Sequence, residues 1–103
     1  METSLDRAIR SIVQVAEPDR IVLFGSHASG SFTDESDYDL LVLKKNVTKP
    51  RELAQRIYLN FDSIGAPVDI IVADLDSYEK LKDDPYLIYH TANQDGVVVY
   101  EKQ

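Results

Sequence analysis

The chain has 103 residues, of which 44% are hydrophobic and 28% charged, a composition typical of one folded globular domain and unlike that of a disordered segment. Its formal net charge of −7 argues against direct nucleic-acid binding and favours divalent cations or a basic protein partner. The absence of cysteine excludes disulfides and thiolate metal sites. The N-terminus has no signal-peptide pattern and no apolar run approaches the ~20 residues that cross a bilayer, so we expect a cytoplasmic protein without membrane contact.

The first half of the chain predicts one helix followed by two strands. Apolar residues recur at helical spacing between Ser4, a candidate N-cap, and Pro18, which ends the pattern. The β-prone runs RIVLF and YDLLVL, residues 20–24 and 38–43, predict strands on either side of a loop rich in glycine, serine and acidic residues. That loop therefore joins two predicted strand ends.

The second half predicts a second helix and several shorter elements. Pro50 suits the first helical position, the apolar face would continue to Ile64, and Gly65 would mark the helix end. The remaining predicted elements are a strand, two short helices and a final strand, over residues 68–73, 76–83, 85–94 and 97–100. This order predicts an α/β or α+β domain with a small mixed sheet flanked by helices.

Gly25 and Ser26 follow the first predicted strand directly. A glycine here would let the backbone turn and let a ligand approach, while free N–H groups and the Ser26 hydroxyl would favour an anion such as phosphate. The spacing resembles a P-loop, but Ser31 stands where the phosphate-binding lysine belongs, so we exclude that motif. Alone, these residues also fit an ordinary tight turn, and His27 is either a neutral phosphate donor or a surface histidine.

Three aspartates accompany the predicted strands. Asp37 and Asp39 are spaced i and i+2 at the start of the second strand, so their carboxylates should project from one face and share one or two Mg²⁺ ions with nucleotide phosphates. Asp69 interrupts the apolar run VDIIVA, where a charge is costly without a partner. If the strands are neighbours, Asp69 could hold a second metal or act as a general base. The alternatives are a solvated acidic loop and, for Asp69, an edge-strand surface position.

The combined pattern resembles a known family. Gly25-Ser26, ten intervening residues, Asp37-Tyr38-Asp39 and the later Asp69 resemble the signature of the DNA polymerase β-type nucleotidyltransferase superfamily. The likeness is closest to the minimal nucleotidyltransferases, which are the antitoxins of HEPN/MNT toxin–antitoxin pairs. It covers essentially the whole chain, so it implies a single minimal nucleotidyltransferase domain over residues 1–103 with the polymerase β-type fold.

The resemblance also implies an activity and a partner. Two Mg²⁺ ions would promote attack of a hydroxyl group on the α-phosphate of ATP. Gly25 and Ser26 would hold the β- and γ-phosphates, Asp37 and Asp39 would bind the metals, and Asp69 would complete the catalytic and metal-binding site. The family likeness further implies transfer of AMP to a tyrosine of a HEPN-type ribonuclease toxin, within a hetero-oligomer, which inactivates the toxin.

One departure and two alternative functions follow. Many relatives carry basic residues shortly after the Gly-Ser pair, whereas His27 and Ser29 stand here, which could weaken triphosphate binding or shift it to the partner. One alternative is an antitoxin that neutralises its toxin by contact alone, using its acidic surface. The other is a nucleotidyltransferase for a small molecule such as an aminoglycoside, although 103 residues leave little room for an acceptor domain.

Overall fold

The computed structural model of the protein describes residues 3–25, 37–61, 64–82 and 96–102. Within these residues, three helices and a four-stranded sheet follow one another along the chain. Their bounds are α1 Ser4–Ala16, β1 Arg20–Phe24, β2 Tyr38–Lys44, α2 Pro50–Leu59, β3 Val68–Asp74, α3 Leu75–Leu81 and β4 Val97–Glu101. This architecture confirms the predicted α+β class with a mixed sheet and flanking helices.

The sheet has the strand order β3-β2-β1-β4. β1 pairs antiparallel with both β2 and β4, whereas β2 pairs parallel with β3. In this register Asp39 of β2 lies opposite Phe24 of β1 on one side and opposite Asp69 of β3 on the other. The third predicted strand is therefore the direct neighbour of the second, as the hypothesis of a shared carboxylate site required.

The two faces of the sheet bury different sets of side chains. One face packs under α1 and α2 through a cluster that includes Ile12, Ile21, Leu40, Val42, Ile57 and Ile70. The opposite face packs against α3 through a cluster that comprises Val22, Phe24, Leu41, Leu43, Ala73, Leu75 and Tyr78. Because successive side chains of a strand point to opposite faces, Asp39 and Asp69 share the α3-side face with Leu41 and Ala73. The sheet therefore presents both aspartates on the same side.

The start of α1 corrects one prediction, because Thr3 rather than Ser4 is the N-cap. The Thr3 hydroxyl accepts a hydrogen bond from the Asp6 backbone N–H at 3.1 Å, and the Asp6 carboxylate accepts one from the Thr3 N–H at 3.1 Å. These hydrogen bonds hold the pKa of Asp6 below its usual range. Thr3 and Ser4 are both residue types that commonly cap helices, so the sequence does not distinguish them. The reciprocal hydrogen bonds between Thr3 and Asp6 identify Thr3 as the cap.

The end of α2 corrects a second prediction. The helix ends at Leu59, with Asn60 as its C-cap, so the helical face does not continue to Ile64. Ile64 is still buried, but its carbonyl accepts hydrogen bonds from Arg7 of α1, at 2.9 Å from Nη2 and 3.3 Å from Nε. Gly65 has a φ of +85° in the connection to β3 and does not end the helix. A tertiary contact thus replaces the last predicted helical turn.

The other element bounds lie close to their predicted positions. β1 has the predicted bounds, and the other three strands each continue one residue further. α3 begins after Asp74, whose carboxylate accepts a hydrogen bond from the Ser77 N–H at 3.0 Å. The helix predicted over residues 85–94 lies outside the described residues. Among the described helices, none has the length and apolar character needed to span a membrane.

Candidate active site

Four of the six predicted site residues belong to the described part of the chain: Gly25, Asp37, Asp39 and Asp69. The other two, Ser26 and His27, lie outside it. Gly25 follows the last residue of β1, Asp37 directly precedes β2, and the remaining two aspartates are the second residues of β2 and β3. Since β1 runs antiparallel to β2 and β3, all four positions lie at the same end of three adjacent strands.

Asp39 lies directly against the backbone of Gly25. A Cβ atom added to Gly25 would overlap the Asp39 Oδ2 atom and would lie 3.2 Å from its Cγ. The φ of Gly25 is +75°, which side-chain-bearing residues rarely adopt. Position 25 therefore needs glycine for two reasons, the backbone conformation and the close approach of a carboxylate. The sequence predicted the backbone turn, but not the contact with Asp39, and the approach of a ligand stays a prediction.

Asp37 and Asp69 form a carboxyl pair. Partial desolvation raises the pKa of Asp69, and the negative charge and hydrogen-bonding capacity of the nearby Asp37 carboxyl group raise it further. Asp39 is the cross-strand neighbour of Asp69 in the parallel ladder. The structure thus places Asp37 near Asp69 and Asp39 opposite Asp69, while the catalytic and metal-binding roles of the three aspartates stay predictions.

The donor chemistry of these aspartates suits Mg²⁺. Two close carboxyl groups repel each other when both are ionised, and either a proton or a cation relieves that repulsion. Mg²⁺ is usually held by one or two carboxylates, while waters and substrate phosphates fill the remaining positions. Within residues 3–25, 37–61, 64–82 and 96–102, no group of three or more His, Cys, Asp or Glu side chains is arranged to hold a metal ion. The fit to the ion therefore rests on the carboxyl pair.

Two contacts that the sequence did not suggest hold the chain that leads into β3. The backbone N–H of Tyr38 donates to the Pro67 carbonyl at 3.0 Å, which joins the entries of β2 and β3. Arg7 donates a hydrogen bond to the Ile64 carbonyl in the connection between α2 and β3. A Cβ atom added to Gly65 in that connection would lie 3.1 Å from the Arg7 Nη2 atom. Each contact joins residues that are far apart in sequence, and of these residues only Tyr38 belongs to the predicted signature. The contacts join the chain that precedes β3 to β2 and to α1.

Two cavities of the described structure lie away from the aspartates. One of about 410 Å³ lies between the end of α1 and the start of α2, and its lining includes Lys44 and Arg56. The other, of about 310 Å³, lies between α2 and β3, and its lining includes Pro50 and Val72. Neither is lined by an aspartate of the candidate site. The described residues of the candidate site therefore lie outside both of these cavities.

Comparison with known proteins identifies the family. Residues 7–103 match the family described as polymerase beta, nucleotidyltransferase. The chain belongs to this nucleotidyltransferase family. The match includes Gly25 and the three aspartates, and the fold that carries them is the one that the sequence predicted.

Individual relatives agree with the family. This nucleotidyltransferase is 38% identical over 56 residues to a protein of Methanocaldococcus jannaschii named "Putative protein adenylyltransferase", and the match covers 48% of this chain and only 57% of the relative. A crystal structure of a toxin-antitoxin with AMP-PNP is 23% identical, with a TM-score of 0.57 over 93% of this chain and 73% of that chain. A crystal structure of a "putative nucleotidyltransferase" from Sulfolobus solfataricus is also 23% identical, with a TM-score of 0.59 over 99% and 90%. The two structures share the fold.

Proposed function

We propose that this nucleotidyltransferase is a Mg²⁺-dependent protein adenylyltransferase that transfers AMP from ATP to a tyrosine of a HEPN-type ribonuclease toxin and so inactivates it. The observation that carries the proposal is the carboxyl pair of Asp37 and Asp69, which lies beside Asp39 and Gly25 at one end of three strands. The name of the curated relative supports protein adenylylation. The structural neighbour, a toxin-antitoxin with AMP-PNP, supports a toxin partner and a nucleotide.

The aspartates would divide the metal binding and the proton transfer between them. Asp37 and Asp39 would hold one or two Mg²⁺ ions, which supply charge neutralisation for the triphosphate and for the departing diphosphate. Asp69 would complete the metal site or accept the proton of the attacking hydroxyl.

The proposed reaction is an in-line displacement. The tyrosine oxygen forms a bond to the α-phosphorus of ATP, its proton passes to Asp69, and the bond between the α-phosphorus and the bridging oxygen breaks to release diphosphate. Gly25 and Ser26 would orient the β- and γ-phosphates, and His27 would donate a hydrogen bond to them. A fixed orientation of the leaving diphosphate keeps the α-phosphorus in line with the tyrosine oxygen.

The acceptor would come from the partner. Within the described residues, the open strand ends offer no second lobe to position a hydroxyl group, and rate acceleration depends strongly on such positioning. We therefore infer that the active form is a hetero-oligomer with the toxin in the cytoplasm, and that the isolated chain turns over ATP slowly. The acidic net charge of −7 would favour association with a basic ribonuclease surface.

The test is label transfer with purified proteins. The chain is mixed with a HEPN-type ribonuclease toxin, Mg²⁺ and ATP labelled at the α-phosphate, and we expect label on the HEPN protein with wild type and not with Asp37→Asn. Asp76→Asn is the matched control, since Asp76 is an exposed aspartate of α3, which follows the opposite end of β3, and the substitution should preserve transfer. ATP labelled at the γ-phosphate should leave the protein unlabelled.

The other outcomes separate the competing functions. A HEPN protein that is inhibited without being labelled would overturn the proposal in favour of neutralisation by contact. Label that appears only on an added aminoglycoside would indicate a small-molecule nucleotidyltransferase instead. Transfer that persists after Mg²⁺ is removed with EDTA would contradict the role assigned to the carboxyl pair.

A further inference from the structure

Tyr58, in the last turn of α2, contacts the strand that carries Asp69. Its hydroxyl oxygen accepts a hydrogen bond from the backbone N–H of Ile70 at 2.7 Å. Among the described strands β3 lies at an edge of the sheet, so its backbone groups that point away from β2 face no other described strand. The Tyr58 hydroxyl thus serves as the hydrogen-bond acceptor for the backbone N–H of the residue that follows Asp69.

The Tyr58 hydroxyl is held in place by the packing of its helix. The preceding residue, Ile57, is fully buried in the core, which anchors this turn of α2 against the sheet. The Tyr58 ring meets Phe61 edge to face, with ring centroids 5.8 Å apart and an interplanar angle of 84°. Although 42% of Tyr58 remains exposed, both its backbone and its ring have fixed partners.

Backbone hydrogen bonds on opposite sides of β3 flank Asp69. On the β2 side, the Pro67 carbonyl accepts a hydrogen bond from Tyr38, and on the outer side the Ile70 N–H donates to Tyr58. Ile70 buries its side chain on the helix side of the sheet, so Asp69 projects from the opposite face toward Asp37. Loss of the outer hydrogen bond would let the edge strand twist, and the carboxyl group of Asp69 would move with it.

We propose that Tyr58 is a positioning residue for Asp69, acting through the backbone of Ile70. The proposal rests on the nucleotidyl transfer proposed above for its kinetic consequence, but the structural link does not depend on activity. A small displacement of a catalytic group can cost much of the rate without weakening the binding of substrate. The effect should therefore fall on kcat and leave the KM for ATP unchanged.

The experiment compares Tyr58→Phe with Tyr100→Phe. Both remove one hydroxyl group, but Tyr100 lies on β4, at the opposite edge of the sheet from β3. In Tyr58→Phe we expect amide exchange at Ile70, measured by NMR, to accelerate about tenfold or more, because its partner is lost. We also expect the carboxyl carbon resonance of Asp69 to shift, and kcat with the HEPN protein to fall about tenfold at unchanged KM for ATP. Tyr100→Phe should match wild type in all three.

Each result decides the proposal. Faster exchange at Ile70 with an unmoved Asp69 resonance and an unchanged kcat would mean that the hydroxyl only protects the strand edge, and would overturn it. Wild-type exchange at Ile70 would overturn it as well. If wild type itself shows no transfer, the proposed function fails, while a shifted Asp69 resonance in Tyr58→Phe alone would still support the positioning role.

Discussion

Asp37 and Asp69 lie close together although both are acids, and this proximity affects the stability of the folded chain. The raised pKa of Asp69 means that the folded chain binds its proton more tightly than the unfolded chain does. The resulting stabilisation is complete below the ordinary aspartate pKa and is lost as the pH rises through the raised folded-state pKa. At neutral pH and without metal, the pair therefore repels, although exposure of Asp69 to solvent weakens that repulsion.

Asp37→Asn should therefore stabilise the metal-free protein while it removes activity. We expect a higher Tm than wild type at pH 7 in EDTA, and a difference that shrinks as the pH falls and Asp69 becomes protonated in wild type. Transfer should drop at least about a hundredfold, because metal-assisted charge stabilisation is worth several kcal/mol. Thermal melts over a pH series provide the measurement, and a Tm at or below wild type at pH 7 would contradict the described pair.

Gly25 offers a second residue-scale prediction. Gly25→Ala places a methyl group on the Asp39 carboxylate and forces a side-chain-bearing residue to a φ of +75°, so we expect a loss of about 1–2 kcal/mol from the backbone alone, together with displacement of Asp39. The measurement combines urea unfolding with calorimetric binding of a non-hydrolysable ATP analogue and Mg²⁺. The variant should lose both stability and binding.

Gly65→Ala is the matched control for Gly25→Ala. Its φ of +85° imposes similar backbone strain, but the new Cβ atom would meet the end of the flexible Arg7 side chain instead of a site carboxylate. We expect comparable destabilisation with binding of the Mg²⁺–nucleotide analogue retained. Equal loss of binding in both variants would show that general destabilisation, and not the Asp39 contact, explains the effect.

Among the secondary-structure elements, α2 buries one side in the core and exposes the other side to solvent. Ile57 is fully buried, whereas Leu59, two residues later, is 84% exposed. We expect Ile57→Ala to lower the free energy of unfolding by about 2–5 kcal/mol, because it leaves a cavity between α2 and the sheet. Leu59→Ala should change it by less than about 0.5 kcal/mol. Urea denaturation distinguishes the two, and similar losses would refute the described orientation of the helix.

The same elements show which features a sequence predicts well. β1, β2 and β3 are continuous apolar runs bounded by turn residues, so local patterning located them to within a residue. The cost of an unpartnered charge in such a run indicated that Asp69 needs a partner, but the sequence did not predict the parallel pairing that places Asp69 opposite Asp39. The end of α2 was wrong because Arg7 binds the Ile64 carbonyl, a contact that no local pattern encodes.

The candidate site also has some features that the sequence predicts and others that it does not. Its acids were predictable, since their spacing and their positions at strand ends are local features of the sequence. The contact of Gly25 with Asp39 and the hydrogen bond of Tyr58 to Ile70 were not, because each joins residues that only the sheet and its packing bring together. The sequence thus indicated which groups could act, while the structure adds what holds two of them in position.

At the scale of the whole molecule, charge is distributed unevenly along the chain. Residues 34–39 contain four acids and no base, whereas residues 44–56 contain five bases and one acid. Asp37, Asp39 and Asp69 lie together at the candidate-site end of the sheet, so negative charge is concentrated there. This asymmetry favours approach of a basic partner to the end where transfer is proposed to occur.

Intact-mass spectrometry of the HEPN protein after co-expression is the decisive measurement for the proposed adenylylation. With the wild-type chain, we expect a mass increase of one or more AMP units, located on tyrosine by fragmentation. The Asp37→Asn, Asp39→Asn double variant should leave the mass unchanged, and the Asp76→Asn control should act like wild type. A HEPN protein that stays unmodified, yet is fully inhibited by the double variant, would contradict the account.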